Sequence, residues 1–118
     1  MKHIEFENPL WQNTVRLLKK LNRPFWRRVL ELVDRSRRKR IEVNMRKINM
    51  FYKEGKIVIV PGKLLGGERL KHRAKIVAVD ASKKVIRDIQ KNGGEFIYME
   101  DFLKNLNDIR YSDLMIIR

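Results

Sequence analysis

The chain has 118 residues, 43% of them hydrophobic, so it can bury a core of its own and form one domain. Lysine and arginine number 28 against 14 acidic residues, and the net charge of +14 favours a polyanionic partner, either nucleic acid or an anionic membrane surface. The absence of cysteine excludes a disulfide framework, a cysteine-ligated zinc site and a thiol nucleophile, and no apolar run approaches the roughly 20 residues of a membrane helix.

Two amphipathic helices are predicted at the start of the chain. Asn8 is placed to cap the first helix, and Pro9 fits its first turn. Opposite its apolar residues this helix carries a basic stripe at positions i, i+3, i+4 and i+7: Arg16, Lys19, Lys20 and Arg23. Pro24 ends the first helix, because a residue before proline is pushed out of the helical region. The second helix has an apolar face, and Arg27 and Arg28 lie on its other face.

A basic cluster follows the second helix, with five cations in six positions: Arg35, Arg37, Arg38, Lys39 and Arg40. This run has no apolar periodicity, so we expect its side chains, those of Arg37, Arg38 and Arg40 in particular, to project away from the core. Guanidinium groups bind phosphates, often bidentately, and can stack on unpaired bases. We therefore predict a nucleic-acid contact here; the alternatives are a solvated charge run or a localisation signal.

The rest of the chain predicts an α/β body. Asn44 can cap a third short helix, which ends at Gly55. Buried-strand runs are expected at 57–60, 74–79, 95–98 and 114–117, and we expect Pro61-Gly62 to break the first of them. Helices are predicted between these strands, one capped by Ser82 and one around 102–106. Strands that alternate with helices imply a sheet covered on both faces.

Two motifs of this body have a chemical and a structural interpretation. The segment 60–67 looks like a phosphate loop, but the glycine spacing of a Walker A motif is missing and no Ser or Thr follows Lys63. We interpret it as a turn at the end of a strand, from which Lys63 can still contact a phosphate. Asp80 and Ser82 have no histidine at catalytic spacing, so Ser82 is interpreted as a helix cap and not as a nucleophile.

Other candidate ligands favour a structural role. The two tryptophans, Trp11 and Trp26, lie on apolar helix faces and are predicted to be core residues, not base-stacking platforms. His3 and His72 have no ligand-type partner at a suitable spacing, which makes a histidine metal site improbable. The acidic residues of the C-terminal half follow no calcium-loop pattern and favour a solvated face or a basic protein partner: Glu95, Glu100, Asp101, Asp108 and Asp113.

Taken in order, several motifs resemble one family. Asn8-Pro9 opens a helix, the helix of Trp26 leads to RRKR at 37–40, VNMRKIN follows at 43–49, and KEGK at 53–56 precedes VPGKLLG at 60–66. KKVI at 83–86 and the glycine pair 93–94 complete the set. The chain resembles the archaeal and eukaryotic family of large-subunit ribosomal protein eighteen, within the superfamily of bacterial large-subunit ribosomal protein fifteen. The resemblance covers about residues 8 to 118.

The resemblance implies a structural constituent of the large ribosomal subunit in the cytoplasm. Such a protein binds ribosomal RNA beside neighbouring ribosomal proteins and has no catalytic residue, cofactor, metal or small-molecule substrate. We expect the L15-like α/β fold in a single domain, 1–118, with a basic helical part at 1–55 packed on an α/β body at 56–118. The predicted RNA-binding residues are Arg16, Lys19, Lys20, Arg23, Arg27, Arg28, Arg35, Arg37, Arg38, Lys39, Arg40, Arg46, Lys47 and Lys63.

Three other functions need features that the sequence does not display. A free RNA- or DNA-binding protein of the nucleoid type needs symmetric or repeated binding surfaces. An enzyme, such as one that modifies RNA, needs a cofactor loop or an acid–base constellation. Membrane attachment needs an amphipathic helix that prefers anionic lipid, and the helix at 10–21 qualifies on charge, but its apolar face is expected to be core.

Overall fold

A computed structural model describes residues 9–107 and 109–118, so the predicted cap Asn8 lies outside the described part of the chain. The helices are α1 (Pro9–Lys20), α2 (Pro24–Val33), α3 (Met45–Phe51), α4 (Lys83–Lys91) and α5 (Met99–Lys104). The strands are β1 (Ile41–Asn44), β2 (Ile57–Leu65), β3 (Lys75–Ala81), β4 (Glu95–Tyr98) and β5 (Leu114–Ile116). Short 3₁₀ turns span Arg37–Lys39 and Tyr111–Asp113.

The five strands form one sheet, and every pairing among the described residues is parallel. The strand order is β1-β2-β3-β4, and β5 also pairs with β2. Strand β2 is long enough to hold two neighbours along one edge: β5 pairs with 57–59, and β1 pairs with 62–65. The predicted α/β class is confirmed, with helices between parallel strands as this architecture requires.

Apolar side chains cover both faces of the sheet. On one face, α1, α2 and α5 pack around Trp26 and the sheet residues Ile59 and Val77. On the other face, α3 and α4 contribute Ile48 and Ile89 to a second cluster. Each large apolar side chain buried in this way stabilises the fold by about 1.5–3 kcal/mol. The prediction that the tryptophans are core residues is confirmed, since Trp11 is 6% exposed and Trp26 is 0% exposed.

Side-chain caps set the starts of α3 and α4. The amide of Lys47 donates to Asn44 Oδ1 at 3.0 Å, and the amide of Val85 donates to Ser82 Oγ at 3.2 Å, so both predicted caps are confirmed. The predicted end of α3 at Gly55 is wrong. The helix ends at Phe51, because the next residue, Tyr52, has an extended ψ of 133°. Gly55 lies in the following turn with a φ of +84°.

Pro61 and Gly62 do not break the first strand of the body, contrary to the prediction. Strand β2 continues to Leu65, and a bulge between Val60 and Lys63 shifts its register against β3. The pairing with β5 ends at Ile59, and the pairing with β1 begins at Gly62. Pro61 therefore lies between ladders, where its missing N–H removes no sheet hydrogen bond.

Strand β1 was not predicted, and it brings the basic cluster to the sheet. Ile41 lies opposite Gly62 and Asn44 lies opposite Leu65. A Cβ atom on Gly62 would lie 2.0 Å from the carbonyl oxygen of Ile41, so only glycine allows the two backbones to approach this closely. Because Arg40 directly precedes β1, this pairing fixes the end of the basic cluster at the edge of the sheet.

Candidate nucleic-acid interface

Arg40 packs on Trp11, so the prediction that its side chain projects away from the core is wrong. The guanidinium carbon lies 4.5 Å from the centre of the Trp11 ring, and Arg40 is half-buried. A guanidinium over the face of an indole is held by the ring quadrupole as well as by packing. The contact joins α1 to the strand edge, and it fixes the last cation of the cluster in place. Arg37 and Arg38 are exposed, as expected.

A cationic groove, here called the helix groove, lies on one side of this pair and has a volume of about 370 Å³. Its apolar wall consists of Trp11, Val15 and Val33. Four cations line it with one carboxylate, that of Asp34: Arg16, Lys19, Arg35 and Arg40. The excess of positive charge beside an apolar wall suits an anionic chain that also carries flat, weakly polar groups.

A second groove, here called the strand groove, has a volume of about 330 Å³ and also includes Trp11 and Arg40 in its wall. Its other cations come from the 3₁₀ turn and from β2: Arg37, Arg38 and Lys63. Lys63 is half-buried in the strand and not in a turn. In the sheet register it lies between Glu42 of β1 and Asp80 of β3, so two carboxylates offset part of its charge. The three arginines carry most of the attraction for an anion in this groove.

Several predicted residues lie on the surface of α1 and α2 without lining either groove. Lys20 is exposed, and the guanidinium of Arg23 lies 5.9 Å from the centre of the Tyr111 ring. Arg27 donates to the side chain of Asn22, and Arg28 forms an ion pair with Glu31 at 3.2 Å. Lys39 is exposed in the 3₁₀ turn. These five residues widen the positive surface around the grooves.

Arg46 and Lys47 are not brought together with the other predicted residues. They belong to α3, which packs on the opposite face of the sheet from α1 and α2. Arg46 is exposed and Lys47 is half-buried. Sequence reasoning also missed that Trp11 lines both grooves. An apolar helical position predicts burial, but it does not predict which arginine lies over the buried ring.

A carboxylate fastens α1 to α5. Asn13 Nδ2 donates to Glu100 Oε1 at 3.3 Å, and Lys104 Nζ donates to Glu100 Oε2 at 3.0 Å. The hydrogen bond from Lys104 is the main reason that the pKa of Glu100 is lowered. Desolvation acts in the opposite direction, and the charge of Arg16 adds to the lowering. The contribution of this link to stability is present at neutral pH and is lost as pH falls below the ordinary value of 4.5.

Other kinds of site find little support in the described part of the chain. Within residues 9–107 and 109–118, no three histidine or carboxylate side chains come together as a metal site requires. None of the described helices combines the length and the apolar character needed to cross a membrane. The cationic grooves are the arrangement with a clear chemical use, which is to hold a polyanion.

The fold and the grooves together define an α/β protein with a polyanion-binding face, and comparison with known proteins specifies its family. The sequence model of the family described as ribosomal proteins 50S-L15 and 50S-L18e, with their 60S counterpart, matches residues 27–97. A large ribosomal subunit protein eL18 of Sulfurisphaera tokodaii is 35% identical over 92% of each chain. The eL18 protein of Methanococcus maripaludis is 31% identical over 87% of this chain and 89% of its own. The chain belongs to this ribosomal protein family.

Proposed function

We propose that this chain is a structural constituent of the large ribosomal subunit, where it binds ribosomal RNA without catalysis. Its place is the cytoplasmic ribosome, beside other ribosomal proteins. Two lines of support are its membership of the family and the likeness to eL18 proteins over most of the chain. We treat residues 1–118 as one domain, in which the helices of the basic part and the sheet of the body share a core.

The observation that carries this proposal is the pair of cationic grooves that meet at Arg40 and Trp11. Phosphates bind well where guanidinium groups are already fixed, because less side-chain entropy is lost on binding. Arg40 is fixed by the indole ring, and the 3₁₀ turn before it holds Arg37 and Arg38 beside the strand edge. The body therefore acts as a scaffold that presents the cations in a defined geometry.

Residues of the two grooves are proposed as the principal RNA contacts, and the rest of the predicted set as a surrounding positive field. Each phosphate that is neutralised releases a condensed counterion, and this release drives binding at low salt. The segment 16–47 supplies 13 basic and 3 acidic side chains, which is enough for contact with roughly 6–10 phosphates.

The salt dependence of binding tests this mechanism. With roughly 6–10 phosphate contacts, the affinity of the purified protein for large-subunit ribosomal RNA falls by about 10³–10⁵ between 50 and 200 mM salt. Filter binding at several salt concentrations measures the slope, and small-subunit ribosomal RNA of matched concentration measures the non-specific part. Affinity that does not change with salt would contradict the electrostatic mechanism. Equal affinity for both RNAs at every salt concentration would contradict the assignment to the large subunit.

A further inference from the structure

Asn49 anchors a loop on the face of the sheet opposite to the two grooves. Its Nδ2 donates to the carbonyl oxygen of Arg69 at 2.8 Å and to Glu68 Oε1 at 3.0 Å, while its Oδ1 accepts from the amide of Lys71 at 2.8 Å. Nε2 of His72 donates to the carbonyl oxygen of Asn49 at 3.2 Å. The loop that joins β2 to β3 is therefore bound to the last turn of α3, through one side chain and its own main chain.

This anchoring turns cations outward. Leu70, in the middle of the loop, is 3% exposed and belongs to the apolar cluster under α3 and α4. The residues on either side of it, Arg69 and Lys71, are exposed, and so is Arg73. The buried leucine fixes the loop to the core, so its positive side chains have a defined position on the surface.

Aromatic rings lie beside these cations. The rings of Tyr52 and His72 are 5.0 Å apart and inclined by 37°, and they line a groove of about 670 Å³ together with Lys71, Arg73 and Glu54. Phe51, which directly precedes Tyr52, is 51% exposed. Exposed or half-buried rings next to lysine and arginine are the combination that binds unpaired RNA, since bases stack on the rings while cations hold the phosphates.

We propose that this surface, made of the Asn49-anchored loop with Phe51 and Tyr52, is a second RNA-binding site that takes a single-stranded segment. The proposal rests on the proposed function and adds to it, because this site lies on the other face of the sheet from the two grooves. The chain then holds two separate stretches of ribosomal RNA, one on each face. Positive charge around the groove favours RNA over an apolar protein partner.

Footprinting of large-subunit ribosomal RNA distinguishes the two sites. Wild-type protein protects two stretches of nucleotides from backbone cleavage. The double variant Lys71→Glu/Arg73→Glu exposes one stretch and leaves the other protected. The matched control Lys83→Glu/Lys84→Glu carries the same change in charge on exposed residues of α4 and retains both footprints. A footprint of the Lys71/Arg73 variant identical to that of wild type overturns the second site, and so does a variant that keeps its footprint but no longer enters the subunit, since a protein partner then occupies this surface.

Three further measurements keep the outcome unambiguous. If thermal unfolding shows that the glutamate variant does not fold, Lys71→Gln/Arg73→Gln removes the charges with less repulsion and has to lose the same stretch. Phe51→Leu keeps apolar area but removes the ring, and it weakens binding to a single-stranded oligonucleotide of that stretch by at least about fivefold, whereas Phe51→Trp does not. Equal binding by the two Phe51 variants contradicts stacking. If wild type protects no RNA at all, it is the proposed function that fails.

Discussion

A single cation can serve both the fold and RNA binding, and Arg40 is such a residue. It lies in the wall of both grooves, yet its guanidinium is stacked on a buried indole. Its neighbours Arg38 and Lys39 are exposed and lack that contact with Trp11. Substitutions within the cluster are therefore not equivalent, because the loss of Arg40 removes packing as well as charge.

Replacement of Arg40 by alanine tests this difference. Arg40→Ala lowers the free energy of unfolding by about 0.5–2 kcal/mol, because the cation–π contact with Trp11 is lost. Lys39→Ala removes the same charge from the exposed neighbour and changes stability by less than about 0.5 kcal/mol. Urea denaturation of the free proteins measures both. Equal stability of the two variants would show that the contact with the indole contributes nothing to the fold.

Gly62 is the second residue whose role depends on a close approach. A Cβ atom there would meet the carbonyl oxygen of Ile41, so Gly62→Ala forces β1 away from β2 and destabilises the protein by about 1–3 kcal/mol or more. Gly66→Ala is the matched control, since its added Cβ would find the nearest atom, Val85 Cγ2, at 3.6 Å. Thermal unfolding compares the two variants. A Gly62 variant as stable as the Gly66 variant would contradict the fixed β1–β2 pairing.

At the scale of elements, the starts of α3 and α4 depend on single polar side chains. Ser82→Ala lowers stability by about 0.5–2 kcal/mol, because the amide of Val85 loses its acceptor. Ser36 precedes the 3₁₀ turn without a side-chain cap, so Ser36→Ala serves as the control and has little effect. Chemical denaturation gives both values. If the Ser82 variant instead lost an enzymatic activity while remaining folded, the non-catalytic interpretation would be wrong.

Elements defined by local signals were predictable from the sequence, and elements defined by distant partners were not. The Asn44 and Ser82 caps act within three residues, and both predictions are confirmed. The proline rule that ended β2 at Val60 is also local, but the strand continues because Pro61 falls between the ladders of its neighbours. Strand β1 has one buried residue in four, too weak a pattern to recognise without its partner β2.

The predicted RNA-binding set shows the same limit. A run of arginines is visible in any sequence, so the cluster at 35–40 could be identified as a candidate contact before its geometry was known. The packing of Arg40 on Trp11 could not, since it depends on how α1 lies against the sheet edge. The loop at 68–73 was missed because its cations are spaced among apolar and acidic residues, and only Asn49 brings them to one surface.

At the scale of the whole molecule, the charge is distributed so that one sheet supports cations on both faces. The α1–α2 side carries the two grooves, and the α3 side carries the anchored loop. A net charge of +14 repels itself in the free protein, and RNA binding offsets that repulsion. The basic cluster can accordingly be reversed in charge without loss of the fold, provided that Arg40 is left in place.

Entry of a charge-reversed variant into the large ribosomal subunit tests the central claim most directly. Arg35→Glu/Arg38→Glu changes one exposed arginine in each groove, and Lys83→Glu/Lys84→Glu makes the same change in charge on α4. Tagged copies of wild type and of both variants are followed through a sucrose gradient of cell extract, after thermal unfolding has shown that each is folded. We expect wild type and the α4 variant to sediment with the large subunit, and the groove variant to stay at the top of the gradient. A folded groove variant that sediments with the large subunit as wild type does would contradict the account.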